Sequence, residues 1–523
     1  MSDKNTPELP NILIIQVDQM AAPALPIYGH PVVKTPHISA LAEQGVVFEN
    51  AYCNFPICAP SRYSMLTGKL PNAINAFDNA SELSAEMPTL AHYLCAMGYQ
   101  TTLCGKMHFV GPDQLHGFED RMVTDIYPAN FAWTPDWRKG PTDVPTGISV
   151  SILPQSGKCL RSMQIDYDDE VEYHGIQKIY DLARSVDTRP FFLTISFTHP
   201  HSPYTSSEEH WDRYDHDDVK LPTVGPLPLE DLDAHSRWLY HSHGRDRFEV
   251  KSEDVRNARH AYYGMISYID DKVGRILKTL KDTGLDENTI IVFTGDHGEM
   301  LGERGMWFKQ TFFEWSSRIP LVVSYPKKFK PARQSAVVSL VDLVPTLLDL
   351  VEAGKSGDAS LDFDGHSMIG LLDGDANGWA DTAYSEYTDM GVTAPCRMLR
   401  KGNYKYIYTH GHPAMLFDLA ADPDELVNRV DDPGLALVKD GLAKEVLRDW
   451  DPEEINRCVL ASQQRRLHVE SAMKRTARYP NWSYEIRQGD KERFVRGSGA
   501  ASGATGTKAR ARFPFVGATQ SRE

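Results

Sequence analysis

The chain has 523 residues, a mass of 58.8 kDa and a net charge of −16 at neutral pH. This length exceeds what one hydrophobic core usually serves, and a hydrophobic content of 41% is typical of globular chains, so we expect a large domain with a smaller one beside it. The negative charge argues against a broad nucleic-acid-binding face and against an anionic lipid surface, so an anionic ligand would need locally placed cations.

The N-terminus and the cysteines predict the compartment. "MSDKNTPELP" lacks the apolar stretch of a secretory signal, and no apolar run approaches the length of a membrane span. The seven cysteines are widely spaced and odd in number, which favours free thiols over a disulfide framework. We therefore expect a cytoplasmic protein with neither a membrane nor a nucleic acid as partner.

Apolar strands alternate with helical segments along the chain. "NILIIQV" (Asn11–Val17) is a near-continuous apolar run, typical of a parallel strand covered on both faces. "TPHISALAEQG" and "MPTLAHYLCAMG" then predict helices that end at Gly45 and Gly98. Further strands are predicted over residues 99–105, 191–197 and 289–295, and a long helix with one apolar face, which includes Met265 and Leu280, lies between the last two strands.

This alternation predicts the fold class. Strand and helix alternate over most of residues 11–354, which indicates an α/β fold with a mostly parallel central sheet and helices on both faces. "LRKGNYKYIYTHG" and "AMLFDLAADPDEL" predict a strand pair in a smaller C-terminal α+β unit. We place the main domain at residues 1–375, the C-terminal subdomain at 376–480 and an extended tail at 481–523.

Polar side chains follow four of the predicted strands, and they are Asp18 and Gln19, Lys106 and His108, His199 and His201, and Asp296 and His297. In open α/β sheets, ligands bind beyond the carboxyl ends of the strands. Each of these residues taken alone is also typical of a helix cap, a turn or the surface. Four strand ends with this chemistry together indicate a single functional site.

The residue types at these strand ends indicate the chemistry. Asp18, Asp296 and His297 suit a divalent cation, and their carboxylates favour calcium or magnesium over zinc. A cationic wall for an oxyanion would consist of Arg62, Lys106, His108, His201 and Lys309. A metal ion facing such a wall points to phosphoryl or sulfuryl transfer.

The stretch "CAPSRYSMLTG" places Cys58 at the start of a predicted helix. Pro60 fits the first turn of that helix, Gly68 fits its end, and Cys58 would lie just before it, where the helix dipole favours negative charge. A buried packing cysteine is the alternative interpretation. A thiolate nucleophile of the Cys-phosphatase type is disfavoured, because only three residues separate Cys58 from Arg62.

The same stretch resembles the signature of the type I sulfatases, in which C-x-P-S-R marks the cysteine for conversion to formylglycine. The resemblance extends through "VDQ" (17–19), "GKMHF" (105–109), "THPHSPY" (198–204), "TGDHGEMLGERG" (294–305) and "VDLVPTLLDL" (341–350). Within this formylglycine-dependent family of the alkaline phosphatase superfamily, the chain looks most like the choline-sulfatase group. The stretches that carry this closer resemblance are "NFPICAPSR", "AFDNA", "NFAWTPDW", "MWFKQTFFEWSSRIPLVV" and "SEY" (385–387).

The resemblance implies an alkaline-phosphatase-like α/β fold and a set of metal ligands. Cys58 would be oxidised to formylglycine, whose hydrate is the nucleophile. Formylglycine 58, Asp18, Asp296 and His297 would hold one divalent metal, calcium in preference to magnesium or manganese. Gln19 would lie next to this metal.

The resemblance also implies roles in binding and proton transfer. Arg62 and Lys106 would hold the hydrated aldehyde and the sulfate oxygens, with Asn79 near the transferring group. His108 would take a proton from the second hydroxyl, which expels sulfate and restores the aldehyde. His201 and Lys309 would stabilise or protonate the leaving oxygen.

The implied activity is the hydrolysis of aryl or alkyl sulfate monoesters to alcohol and sulfate. The implied partners are the sulfate ester, a formylglycine-generating enzyme during maturation and further copies of the chain in a dimer or tetramer. Many sulfatases carry Asp and Asn where this chain has Gln19 and His297, whereas phosphonate monoester hydrolases of the superfamily share this pattern. A phosphonate monoester or phosphodiester hydrolase that uses the same site therefore stays open as one alternative. A second alternative, of a different class, is a non-catalytic metal-binding or scaffolding protein whose Cys58 stays reduced.

The expected substrate pocket contains Trp133 and Glu386, an aromatic face and a carboxylate of the kind that bind a quaternary ammonium. In choline sulfatases the C-terminal tail crosses to a neighbouring subunit and adds an acidic residue. Here the tail has no Asp or Glu between Glu492 and Glu523 and carries four cations, Arg496, Lys508, Arg510 and Arg512. The tail either docks on a neighbouring subunit or is disordered. In both cases it brings no carboxylate to a choline group, so we expect aryl or other organic sulfates as substrates. A choline sulfatase proper is the alternative.

Overall fold

A computed structural model describes residues 9–351, 362–476 and 481–487, together with Asp490, Phe494 and Arg512. The strands are β1 (Asn11–Val17), β2 (Val46–Tyr52), β3 (Gln100–Gly105), β4 (Asp120–Arg121), β5 (Gly157–Cys159), β6 (Phe191–Ser196), β7 (Thr205–Ser207), β8 (Thr289–Gly295), β9 (Leu321–Ser324), β10 (Ala332–Ser339), β11 (Thr382–Tyr387), β12 (Cys396–Lys401), β13 (Tyr404–Thr409) and β14 (Met415–Asp418). The helices are α1 (Pro36–Ala42), α2 (Cys58–Thr67), α3 (Leu90–Ala96), α4 (Met163–Arg184), α5 (Glu208–Trp211), α6 (Ala234–Ser242), α7 (Ser252–Asp282), α8 (Glu314–Ser317), α9 (Leu343–Leu350), α10 (Ile369–Leu372), α11 (Ala436–Val446) and α12 (Pro452–Lys474).

Eight strands form the central sheet in the order β10-β2-β9-β8-β1-β6-β3-β4. Strand β9 runs antiparallel to both of its neighbours, and the other adjacent strands pair in parallel. Parallel strands of this kind need covering on both faces, which explains the continuous apolar runs in their sequences. The predicted α/β fold with a mostly parallel sheet is confirmed.

Strand β1 shows how the two faces of the sheet are covered. Leu13 and Ile15 belong to an apolar cluster with α7 residues such as Ile266. Ile12 and Ile14 belong to a second cluster, which contains residues of α2, α3 and α9. Alternate side chains of a strand point to opposite faces, so these two clusters are the two layers that pack against the sheet.

The C-terminal region forms its own antiparallel sheet in the order β11-β12-β13-β14. Leu399 and Tyr406 of this sheet pack against Leu442 and Val446 of α11. A separate small α+β unit is therefore present, as the sequence predicts. The exact bounds of the domains, at residues 375 and 480, stay a prediction.

The predicted tail over residues 481–523 lies mostly outside the described residues. Within it, Arg512 donates a hydrogen bond from Nε to the backbone carbonyl of Gln155 in the same chain, at 2.6 Å. The stretch from residue 495 to 511, with most of the predicted tail cations, is not described. In the part of the chain that is described, no helix has both the length and the apolar character needed to cross a membrane.

Candidate active site

Helix α2 begins with Cys58 itself. The backbone N–H of Ala59, which has no partner inside the helix, donates to the side-chain oxygen of Asn79 at 2.9 Å. Gly68 ends the helix with a left-handed φ of 69°, as predicted. Cys58 thus lies within the first turn and not just before it, and Asn79 satisfies a buried amide at the helix start that would otherwise have no partner.

Four potential metal-ligating side chains meet beside this helix start. Asp18 follows β1, and Asp296 and His297 follow β8, which pairs in parallel with β1, so the three residues emerge at the same edge of the sheet. The ligand atoms of these residues and of Cys58 all lie within 4.8 Å of one another, and all four side chains are buried. Sγ of Cys58 lies 3.3 Å from Nε2 of His297.

His297 is oriented as a neutral ligand. Its Nδ1 lies 3.0 Å from the carbonyl oxygen of Gly298, which can only accept, so Nδ1 carries the proton. Nε2 then presents a lone pair, 3.8 Å from a carboxylate oxygen of Asp18 and 3.7 Å from one of Asp296. Burial lowers the pKa of His297 to about 3. A lone pair facing two carboxylates is a donor set that fits a divalent cation.

Arg62 and Lys106 bring positive charge to the two carboxylates. Nε of Arg62 lies 2.8 Å from Asp296, another nitrogen of the same guanidinium lies 3.3 Å from Asp18, and Lys106 contacts Asp18 as well. Burial opposes ionisation of Asp296, but the positive charges of Arg62 and Lys106 outweigh it and hold its pKa well below the usual value. For the Cys58 thiol burial dominates and raises the pKa to about 11.

A cavity of about 110 Å³ opens onto Cys58. Of the residues expected from the sequence, it is lined by Asn79, Trp133, His201 and Lys309. The sequence did not reveal the rest of the wall, which is formed by Ile57, Tyr127, Thr146, Gly147, Ile148, Ser149, Ile152, Ser202, Pro203, Gln310 and Met390. None of the described residues that line it carries a carboxylate.

Glu386, expected in the substrate pocket, is placed elsewhere. Its carboxylate accepts a hydrogen bond from the backbone N–H of Asn72 at 2.8 Å and lies 3.5 Å from Nε of Arg397. Glu386 and Arg397 are directly opposite each other on β11 and β12, so the register of the C-terminal sheet pairs them. The wall of the cavity therefore has the aromatic face of Trp133 without the expected carboxylate.

His201 and Lys309 form a proton-bearing pair at the cavity wall. Nδ1 of His201 lies 2.6 Å from the carbonyl oxygen of Ser202, so this nitrogen carries a proton. Nε2 lies 2.7 Å from the ammonium of Lys309 and 3.0 Å from the hydroxyl of Tyr127. Lys309 also contacts the side-chain oxygen of Gln19, so the residue next to the metal cluster touches the proton-bearing pair.

Three buried carboxylates hold the loops that carry these side chains. Each accepts two backbone N–H groups, at 2.7 to 2.9 Å: Asp125 from Met107 and His108, Asp168 from Thr198 and His199, and Glu299 from Leu301 and Phe308. None of the three could be identified from the sequence, because no motif assigns them this role. They fix loops that would otherwise leave buried amides unsatisfied.

His108 is held in an unusual conformation by this arrangement. Its φ is 63°, a left-handed value that is rare for residues other than glycine, and Asp125 accepts its backbone N–H. Neither ring nitrogen has a hydrogen-bond partner among the described residues. Burial, reinforced by the positive charge of Lys106, lowers the pKa of His108 well below the usual value. The imidazole is therefore neutral.

Comparison with known proteins agrees with this geometry. The family described as Sulfatase matches residues 10–353, and the family described as N-sulphoglucosamine sulphohydrolase, C-terminal, matches residues 302–452. A choline-sulfatase of Rhizobium meliloti (strain 1021) is 41% identical over 497 residues, which cover 93% of this chain and 96% of that protein. An arylsulfatase of Clostridium perfringens (strain 13 / Type A) is 28% identical and covers 85% of this chain and 95% of that protein.

A solved structure shows the same fold. The phosphonate monoester hydrolase of Agrobacterium radiobacter superposes with a TM-score of 0.68 at 27% sequence identity, covering 84% of this chain and 95% of that one. The sulfatase match extends over more than half of the chain, and the choline-sulfatase is similar over nearly all of it. The chain therefore belongs to the sulfatase family.

Proposed function

We propose that this sulfatase hydrolyses aryl and alkyl sulfate monoesters to alcohol and sulfate, with formylglycine at position 58 and one divalent metal ion. The observation that carries the proposal is the position of Cys58. It heads α2 at the floor of the cavity, and the ligand atoms of Asp18, Asp296 and His297 lie beside its sulfur. The C-x-P-S-R sequence around Cys58 supports its conversion by a formylglycine-generating enzyme.

Formylglycine would supply a hydrated aldehyde oxygen as nucleophile, and the metal, for which we favour calcium over magnesium or manganese, would neutralise charge on the sulfate. Asp18, Asp296 and His297 would hold that metal. Arg62 orients both carboxylates at once, because one guanidinium contacts Asp18 and Asp296. Such preorganisation spares the site from rearranging when the sulfate binds.

Several side chains are available to bind the sulfate and move protons. We assign sulfate binding to Lys106 and Asn79, next to the metal cluster and on the cavity wall respectively. We assign the role of base to His108, whose neutral ring has both nitrogens without a partner among the described residues. The leaving oxygen would face His201 and Lys309, which line the cavity together.

Leaving-group protonation yields the first prediction. His201→Ala and Lys309→Ala should lower kcat/KM for alkyl sulfates by on the order of 10²- to 10⁴-fold, because a poor leaving oxygen needs a proton in the transition state. Aryl sulfates with an activated leaving group should lose far less. Tyr127→Phe is the matched control. It removes the hydroxyl that contacts His201 but keeps both His201 and Lys309, the two groups that are expected to donate the proton. Equal losses on both substrate classes would contradict this role.

Phosphonate monoester hydrolysis is a second candidate function. The similarity to the phosphonate monoester hydrolase of Agrobacterium radiobacter favours it, and so does the combination of Gln19 with His297. The test is the ratio of kcat/KM values for para-nitrophenyl sulfate and para-nitrophenyl phenylphosphonate, which share a leaving group. We expect the sulfate to be the better substrate, and a preference for the phosphonate would reverse the order of the two proposals.

The cavity wall yields a prediction about choline. A quaternary ammonium would enter a cavity that contains the Lys309 cation and has no carboxylate among its described lining residues. We therefore expect choline-O-sulfate to be turned over no faster than its neutral analogue, in which carbon replaces the quaternary nitrogen. Steady-state kinetics on the two esters make the comparison, because their leaving groups have nearly the same shape. A clear preference for choline-O-sulfate would show that Trp133 or a further acidic group recognises the cation.

The remaining proposals concern the protein in the cell. We propose a cytoplasmic location and a homo-oligomer, either a dimer or a tetramer. None of the seven cysteines, which all lie in the described part of the chain, is in a disulfide, which supports a reducing compartment. The oligomer rests on the resemblance to the choline-sulfatase group.

A further inference from the structure

A second cavity, of about 420 Å³, shares no lining residue with the one at Cys58. Its wall includes Tyr240, Arg245, Phe248 and Trp307. Trp307 belongs to the loop that carries Lys309, so this cavity borders the same loop as the catalytic one. The volume falls within the range of small-molecule sites, about 300–1,000 Å³.

Arg245 is the charged group of this cavity. Its guanidinium lies over the ring of Tyr240, 4.9 Å from the centroid. In the part of the chain that the structure describes, this guanidinium has neither a carboxylate partner nor a hydrogen bond. Arg247, two residues further on, is paired with Asp246 at 3.6 Å. A partly buried cation without a counter-charge is unfavourable, so the cavity is electrostatically suited to an anion.

The part of the cavity wall beside Arg245 is held in place by buried hydrogen bonds. Glu303 is buried, and its carboxylate accepts the backbone N–H groups of Thr223 and Val224 at 3.1 and 2.8 Å. The same carboxylate lies 3.2 Å from Arg259 of α7. These contacts tie the segment with Pro222 and Pro226 to the Trp307 loop. The cavity is therefore a preformed space and not a gap between loosely packed loops.

We propose that this cavity binds a small organic anion with a flat apolar body. Its carboxylate, sulfonate or sulfate oxygens would meet the planar fork of the Arg245 guanidinium, which matches such groups with two parallel hydrogen bonds. Its body would pack against Tyr240, Phe248 and Trp307, where aromatic rings favour stacked or edge-on contacts. The site is separate from the sulfate ester site and does not depend on the nucleophile.

Binding of naphthalenesulfonate tests the proposal. Its carbon–sulfur bond is not a sulfate ester, so the enzyme does not consume it, and isothermal titration calorimetry on the full chain reports the affinity. We expect Arg245→Gln to weaken binding by about tenfold or more, because a charge-assisted pair of hydrogen bonds is lost. Tyr240→Ala should weaken it too, and uncharged naphthol should bind far less tightly than the sulfonate.

Two matched variants separate this cavity from other anion sites. Arg247→Gln removes a neighbouring exposed cation, and Lys309→Ala removes the cation of the catalytic cavity. Both should retain the binding event that Arg245→Gln loses. Any of three results would overturn the proposal. They are no binding to the wild type, equal binding to the wild type and to Arg245→Gln, and loss of the only binding event in Lys309→Ala. Thermal unfolding of each variant confirms that a lost signal is not lost structure.

Discussion

Replacing Cys58 by alanine is expected to lower sulfate ester turnover by on the order of 10⁵-fold, because the variant lacks the precursor of the nucleophile. The fold should persist. Residue 58 is buried, but the substitution removes a single heavy atom, the sulfur of cysteine or the aldehyde oxygen of formylglycine, from the first turn of α2. The hydrogen bond from Ala59 to Asn79 does not involve the side chain of residue 58. We expect a change of about 1 kcal/mol in the free energy of unfolding.

Cys53→Ala is the control for this prediction. Cys53 is equally buried and lies five residues upstream, but the sequence around it lacks the proline and arginine of the C-x-P-S-R motif. Its variant should keep nearly full turnover. Intact-mass measurement on the wild-type peptide that contains residue 58 should show sulfur replaced by an aldehyde oxygen. An unmodified thiol in fully active protein, or substantial turnover by Cys58→Ala, would contradict the formylglycine assignment.

The buried strands were the most predictable part of the fold. Strands β1 and β8 have the predicted bounds, because strands covered on both faces are continuously apolar and stand out from their flanks. The helices that end near Gly45 and Gly98 were also predicted, since an apolar periodicity followed by glycine marks a helix end. Local sequence determines these features, so one sequence is enough to find them.

Other strands depend on tertiary contacts and were missed. Strand β9 has four residues, and its antiparallel direction is set by pairing with β2 and β8. Strand β10 is at least partly exposed over its first five residues and buried over its last three, so its sequence does not alternate regularly between apolar and polar residues. Neither a short strand nor an edge strand carries a local pattern strong enough to reveal its place in the sheet.

The side chains of the candidate site divide in the same way. Asp18 and Asp296 were predictable because they follow apolar strands, and parallel strands deliver such residues to a common edge. The position of Glu386 was not predictable, because its pairing with Arg397 follows from the register of β11 and β12. Tyr127 lies on an irregular segment, so neither strand nor helix periodicity could place it at the cavity.

Asp296→Asn is expected to weaken metal binding by about 100-fold or more and to lower turnover with it. The carboxylate of Asp296 accepts the backbone N–H groups of Gln19 and His297 at 3.0 and 2.9 Å and contacts Arg62. An asparagine keeps the shape but turns one acceptor oxygen into a donor. It would therefore weaken the metal site and oppose one of these contacts. Elemental analysis and calcium titration measure the metal directly, independently of turnover.

Asp342→Asn is the control that distinguishes the loss of a metal ligand from the loss of a buried carboxylate that has no part in the metal site. Asp342 is buried too, and it accepts the backbone N–H groups of Ser339 and His366 at 2.7 and 2.8 Å, outside the metal cluster. The two variants thus make the same chemical change at buried carboxylates that each accept two backbone N–H groups. They differ in the contact with Arg62, which only Asp296 makes, and in whether a lone pair of His297 faces the carboxylate. Metal content should fall in Asp296→Asn and stay at the wild-type level in Asp342→Asn. Equal metal content in both variants would remove Asp296 from the metal site, because desolvation and backbone hydrogen bonding are common to the pair and coordination is not.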